Sequence, residues 1–318
     1  MQIFTNVNYN FIRWRWHALA LSTVVVLAGI MAILTTGLPL GIDFSGGTVI
    51  IVKFEKRVEE QAVLNALASV PGEKIVQRYG DPQDNERLIR LPELVTEQGA
   101  SLEQGARAVL ERLRAADLGN FEVRSTEIVG PVIGRDLQYK GLLATLASVV
   151  GITAYIAIRF RFSFAVGAIV ATLHDIFVTV AFLKFFNYEL SLNIVAAILT
   201  ITGYSVNDTI VIFDRVRENL RSMRRDALEQ VVNTSVNQTL GRTIITAGTT
   251  FLSVLSLYLF GGEVLEGFAF TMLVGIVSGT YSTIFIASAI AILLSQRRKD
   301  AQGQAVQATA DRQRKKRA

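Results

Sequence analysis

Phe164–Phe186 reads FAVGAIVATLHDIFVTVAFLKFF, twenty-three residues in which Asp175 and Lys184 are the only Asp, Glu, Lys or Arg. A helix that crosses the hydrocarbon core of a bilayer needs about 20 mostly apolar residues, and this run has them. Five other runs qualify in the same way: Ala18–Leu38, Leu142–Ile158, Leu190–Phe213, Ile244–Phe260 and Phe268–Leu294. Leu142–Ile158 and Ile244–Phe260 are at the short end of the range, and Phe268–Leu294 is long enough to tilt. Arg13, Arg15 and His17 before the first run suggest a signal peptide. Its apolar core exceeds the length of a signal h-region and no small-residue cleavage pattern follows, so it reads as an uncleaved anchor.

Composition agrees. Of 318 residues 51% are hydrophobic and 19% charged, where a soluble domain carries about 25% charged residues. There is no cysteine, which removes disulfides, thiol nucleophiles and Cys-ligated metals. His17 and His174 are the only histidines, far apart in the chain, so a histidine-built metal site is not expected.

Orientation follows the distribution of Lys and Arg. With six spans both termini share one side, and 18 of the 32 basic residues fall there, eight of them in the tail from Arg297 to Arg317. The short loops opposite, Asn187–Glu189 and Gly261–Gly267, hold Glu189, Glu263 and Glu266 and no Lys or Arg. Both termini are therefore expected in the cytoplasm. The net charge of +5 reflects this topology and not a nucleic-acid footprint. The basic tail reads as a positive-inside stop, or as a contact for anionic lipid or a partner.

The expected organisation is a cytoplasmic N-terminus (1–17), a first span (18–38), an extracytoplasmic α+β domain (39–136), spans two to six (137–294) and a basic cytoplasmic tail (295–318). Within the spans, 214–240 carries Val216, Leu220, Met223, Ala227 and Val231 at helical spacing among arginines. It reads as an amphipathic helix at the membrane surface or against a partner. The insert 39–136 has 12 basic and 16 acidic residues. Thr48–Phe54 reads as a strand and Val58–Val70 as a helix. Lys74–Tyr79 and Arg87–Leu91 are two strands joined by the turn-rich GDPQDN. A helix capped by Ser101 and a last strand, Phe121–Val129, complete the order. That order, βαββαβ, is the ferredoxin-like unit, two helices on one side of an antiparallel sheet.

The insert has no P-loop, no HExxH and no acidic cluster at ligand spacing. Its dense motif is GIDFSGGT, Gly41–Thr48. As a phosphate cradle it is poor, because it leads from a membrane helix into a strand and not from a strand into a helix. As a turn, Gly46 and Gly47 permit close packing where domain meets bilayer.

That motif recurs with LHD at Leu173–Asp175, TGYSVNDTIVIFDRVREN at Thr202–Asn219, LGRTIITAGTT at Leu240–Thr250 and LYLFGGEVLEGF at Leu257–Phe268. Together they resemble the bacterial SecF family of protein-export membrane subunits, from the first span to about Leu294, with no departure at the motif positions. The resemblance implies a six-span subunit of the resistance–nodulation–division superfamily in the bacterial cytoplasmic (inner) membrane. It implies a homologous partner, SecD, and association with the SecYEG channel and YajC. It also implies use of the proton-motive force to draw translocating preproteins outward, with no cofactor and no enzymatic reaction. The six-span unit is not repeated within the chain, so a partner would supply the other half.

Charges inside spans are expensive and usually functional. Asp175 lies near the middle of span three, and Asp208 in span four sits roughly 9 Å below the boundary marked by Asp214. Asn207 precedes Asp208, and Tyr204 lies one turn away on the same face. Arg242 opens span five, either as a positive-inside anchor or as an inward partner. The proton-coupling candidates are Asp208, Arg242, Asp175 and Asn207, although each aspartate could serve only packing. The motif and packing positions are Gly41, Asp43, Phe44, Gly46 and Gly47, then Gly203, Tyr204, Asp214, Arg215 and Glu218. Gly275 and Gly279 form a GxxxG row continued by Ser278 and Ser282, a helix-packing pattern. Lys184 snorkels toward the outer surface. Competing functions are a half-size exporter of lipids or small molecules and a non-motor assembly scaffold.

Overall fold

The first helix, α1 (Arg15–Thr36), enters through a 3-10 turn at Ile12–Trp14 and ends at Gly37, whose φ of +70° turns the chain out of the helix. The computed structural model of the chain describes residues 8–70, 74–80, 84–91 and 100–297. After α1 come the single turn α2 (Ile42–Ser45), β1 (Gly47–Phe54), α3 (Glu60–Ala66), β2 (Ile75–Tyr79), β3 (Glu86–Leu91), α4 (Ala100–Ala115) and β4 (Phe121–Val129). Four long helices then follow: α5 (Pro131–Arg159), α6 (Phe162–Phe185), α7 (Leu192–Ser222) and α8 (Leu228–Phe260). The last, α9 (Glu263–Ser282), widens into a π turn at Thr283–Ala287 and continues to Arg297. Among the described residues, six helices are long and apolar enough to cross a membrane.

The sheet runs β2-β3-β1-β4 with every neighbouring pair antiparallel. With α3 and α4 on one face, this is the ferredoxin-like arrangement that the strand order predicts. Its core is Ile50, Val52, Val63, Leu67, Ile89 and Val109, all fully buried. Arg87 is buried there too, donating to the carbonyls of Val58 and Glu86. Ser101 lies inside α4 and not at its cap. Most of the expected turn, 81–83, and the basic tail beyond 297 lie outside the described residues.

α5 and α8 are far longer than the short apolar runs from which they were read. Pro131 starts α5 at the first helical position, where its missing N–H costs nothing. The first turns of α5 then lie against α2, with Gln138 Nε2 donating to the Phe44 carbonyl at 2.7 Å. Spacing predicts a separate surface helix over 214–240, and the structure has none. α7 runs on through Asp214 to Ser222 and α8 begins at Leu228, leaving a link of five residues. The apolar stripe that suggests a membrane surface is spent between the two helices, with Val216 and Val231 fully buried in one cluster. Asn219 fixes their register, donating to Ser235 Oγ and Gln238 Oε1 at 2.8 Å each.

At that same end of the bundle Asn233 and Asn237, one turn apart on α8, clamp the segment before α1. Their amide oxygens accept from the backbone N–H of Phe11 and Tyr9, and both side-chain amides donate to the Tyr9 carbonyl.

Small residues set how closely the helices approach. A Cβ on Gly275 would stand 2.2 Å from Ile201 of α7, and one on Gly167 would stand 2.6 Å from the carbonyl oxygen of Ala287. Gly203 and Gly248 have nothing within 4 Å of that position. Alanine at Gly167 or Gly275 is therefore expected to cost about 1–3 kcal/mol by overpacking. Alanine at Gly203 or Gly248 is expected to gain about 0.5–1 kcal/mol of helix stability in the isolated chain. Thermal unfolding of the four variants in mild detergent checks this, and equal melting temperatures would refute it.

Candidate functional site

Asp175 and Asp208 both lie within the bundle, in very different surroundings. Asp175 on α6 is 1% exposed and sits where α6, α7 and α9 meet. Ser205 and Ser282 donate to its Oδ2 at 2.5 and 2.7 Å, and Ser278 donates to Oδ1 at 2.8 Å. His174 Nδ1 lies 3.1 Å from Oδ1. Ser278 and Ser282 are one turn apart and so share a face. The small-residue row of α9 thus supplies hydroxyl donors as well as close packing. The row of hydroxyls goes on through Thr209, 2.9 Å from Thr283 at the start of the π turn.

Asp208 on α7 is half-buried. Thr243 Oγ1 on α8 donates to Oδ1 at 2.8 Å, whereas Oδ2 is buried with no hydrogen-bond partner among the described residues. Arg242 is not the residue that reaches Asp208. A helix turns about 100° per residue, so with Thr243 inward Arg242 stands to the side, exposed and with no carboxylate within 4 Å among the described residues. Asn207 is exposed on the outer face of α7, in line with exposed Gly203. Tyr204, half-buried, packs against the same apolar cluster as Ala247 and Phe251 of α8. Of the four proton-coupling candidates, the structure places the two aspartates inside and leaves Asn207 and Arg242 on the surface of the bundle.

The remaining motif residues hold the two ends of α7. At the end away from the sheet, Arg159 donates to both oxygens of Asp214, at 2.8 and 3.1 Å. Arg215 donates to Gln238 and to Glu218, each at 2.6 Å. At the end near the sheet, Asp43 Oδ2 accepts from the Leu192 N–H at 2.9 Å, and Ser191 Oγ accepts from the Ile194 N–H. These are two of the N–H groups that a helix start leaves without partners. Gly41 N–H donates to the Leu190 carbonyl at 2.8 Å, and a Cβ there would come within 3.0 Å of that oxygen. Phe44 is buried, and Gly46 takes φ +72° against Pro131. Gly47 has φ +120°, so both glycines of the motif occupy conformations other residues rarely adopt.

Arg90 on β3 completes this joint. Its guanidinium donates to the Leu40 carbonyl, to Ser45 Oγ and to Glu189 at 2.7–2.8 Å. The sheet, the glycine segment and the α6–α7 loop are therefore bonded together, directly above the helix that carries Asp208. The first turns of α9 are tied in through Tyr188, which donates to Glu266 at 2.5 Å and stacks on Phe270. Burial, then that hydrogen bond, holds the Tyr188 phenol well above its usual range, so it remains a donor.

Sequence reading did not pick out Ser205, Thr209, Thr243 or Arg90 as partners. A signal exists for three of them: Ser205 and Thr209 are one turn apart on the Asp208 helix, and Thr243 adjoins Arg242. Among the described residues no group of three or more His, Asp or Glu side chains could hold a metal ion. The arrangement offers a titratable carboxylate in a helix seam and a bonded path from that helix to the ferredoxin-like domain.

Residues 109–297 match the family described as protein export membrane protein SecD/SecF, C-terminal, and residues 32–57 match the SecD/SecF GG motif. The chain is 43% identical to the protein translocase subunit SecF of Calditerrivibrio nitroreducens, over 88% of this chain and 91% of that one. It is 39% identical to the SecF of Escherichia coli O157:H7, over 92% and 89% of the two chains. The crystal structure of SecDF from Thermus thermophilus, a translocon-associated membrane protein, superposes with a TM-score of 0.81 at 34% identity. That likeness covers 93% of this chain and 40% of the longer SecDF chain. The membrane architecture, the glycine motif and these relatives agree, and the chain belongs to the SecF family of protein translocase subunits.

Proposed function

We propose that this chain works with SecD as a proton-driven accessory subunit of the Sec translocase and completes preprotein translocation across the bacterial cytoplasmic membrane. The termini face the cytoplasm and the ferredoxin-like domain faces outward, as the basic residues of the far end require. The observation that carries the reading is the pairing of Asp208 with the joint at Asp43. One oxygen of Asp208 is buried without a partner, and the helix bearing it is capped by the segment that supports the outer domain. A change of charge at Asp208 alters how α7 sits against α8, and the capped end passes that shift to the domain that would hold an emerging chain.

The need for SecD follows from the outer faces of α7 and α8. Gly203, Asn207, Arg242, Thr246 and Thr249 are exposed at bilayer depth. Small and polar residues at such depth pack against protein and not lipid. The SecYEG channel and YajC are the further partners of this assembly, and the transport step makes and breaks no covalent bond.

Depletion of the chain in its host tests the reading. Exported precursors are expected to accumulate as membrane-spanning intermediates, and a six-span protein is expected to co-purify with the chain in mild detergent. Unchanged export together with new sensitivity to drugs or lipids would assign the chain to a small-molecule exporter instead.

A further inference from the structure

Two adjoining cavities open at the end of the bundle away from the sheet, of about 590 and 520 Å³, and share the wall formed by Arg161, Phe164 and Leu220. Both volumes fall in the range of about 300–1,000 Å³ typical of small-ligand sites. Five guanidiniums converge on them: Arg159, Arg161, Arg217, Arg221 and Arg224. Their counter-charges are few. Asp214 is engaged by Arg159, and Asp226 is the one carboxylate among the residues lining either cavity. Arg161, Arg217, Arg221 and Arg224 have no carboxylate within 4 Å among the described residues. Beneath the guanidiniums the floor is apolar, with Phe164 and Phe213 buried.

Positive-inside sorting explains arginines at this end of the bundle, but not their convergence from α5, the α5–α6 link, α7 and the α7–α8 link on one pair of cavities with an apolar floor. We propose that these cavities bind the phosphates of an anionic phospholipid from the leaflet in which the bundle stands. Arginine meets phosphate through planar, paired N–H donors, and basic pockets between membrane helices suit lipid headgroups. A lipid source, as opposed to free phosphate, is indicated by the mouth of the site. Ile158 and Phe162, 88% and 69% exposed, flank Arg159 and Arg161 on the surface that faces the bilayer. Acyl chains can descend there while the headgroup stays among the arginines. Two cavities sharing a wall fit two phosphates, which selects diphosphatidylglycerol over lipids with a single phosphate. This inference does not depend on proton coupling.

The test is native mass spectrometry of the full chain in mild detergent with defined lipids added. The wild-type chain is expected to retain diphosphatidylglycerol about tenfold better than phosphatidylethanolamine, with phosphatidylglycerol between them. Arg161→Gln/Arg221→Gln is expected to reduce diphosphatidylglycerol to the phosphatidylethanolamine level, and Arg217→Gln/Arg224→Gln provides a second pair should the first fold poorly. Arg112→Gln/Arg114→Gln, on the exposed face of α4, removes equal charge elsewhere and should change nothing. Equal retention by the cavity variants, equal loss in the α4 control, or displacement of the lipid by inorganic phosphate would each overturn the proposal.

Discussion

Inverted vesicles carrying Asp208→Asn will complete the ATP-driven phase of preprotein import and then lose the component that an uncoupler abolishes. Asparagine has nearly the same size and keeps an oxygen for Thr243, whose hydroxyl lies 2.8 Å from Asp208 Oδ1. The seam between α7 and α8 should therefore close as before, and assembly with the partner should persist. Asparagine cannot take up or release a proton. One charge moved across the full membrane potential is worth about 2.3 kcal/mol per 100 mV, a bias of about fiftyfold at that voltage, and the substitution removes it. Arg242→Ala should act in the same direction but less strongly, because Arg242 stands beside the Asp208–Thr243 contact and not in it. The measurement is completion of a preprotein in vesicles with and without uncoupler after ATP is exhausted. Full retention of the uncoupler-sensitive component by Asp208→Asn would show that the proton site is elsewhere.

Asp175→Ala will cost stability before it costs coupling. The carboxylate accepts from Ser205, Ser278 and Ser282 and lies within hydrogen-bond distance of His174, with 1% exposure. Alanine leaves three hydroxyls and a ring nitrogen without that acceptor at the junction of three helices. Interhelical hydrogen bonds in membranes average about 0.6 kcal/mol and reach about 1.7, since side chains in the unfolded state also find partners. The three that cross between helices, with the contact of neighbouring His174 and the cavity left behind, amount to about 3–5 kcal/mol. The apparent melting temperature of the full chain in detergent should fall by about 4–8 °C. Asp175→Asn keeps the volume and one acceptor and should fall by less than half as much. A melting temperature for Asp175→Ala that matches wild type would mean the hydroxyls are satisfied without the carboxylate.

Much of this fold was open to reading in the residues alone. The six spans and the strand order come from apolar length and from alternation, which are local properties of the chain. The α7–α8 connection escapes local pattern for a physical reason. A stripe of Val216, Leu220 and Val231 looks the same whether it faces lipid headgroups or a second helix, and only the antiparallel pairing of α7 with α8 decides between them. Gly275 and Gly279 announced close packing through their spacing. Gly29 carries no such pattern, yet a Cβ there would stand 2.2 Å from Ala181.

The sequence by itself determined how many helices cross the membrane, where the ferredoxin-like domain is inserted, that carboxylates lie within the spans, and that a glycine-rich turn joins domain to bundle. Those properties depend on residue type over one element, so periodicity and composition reveal them. The tertiary structure alone decided which groups the carboxylates meet. Ser205 reaches Asp175 across 30 positions, Ser282 across 107, and Asp43 caps α7 from 149 positions away. Neither the hydroxyl ring around Asp175 nor the convergence of arginines from two helices and the links beside them has a local pattern. Such groups meet because packed helices leave few places for polar side chains, and which ones share a place depends on crossing and register that no single segment contains.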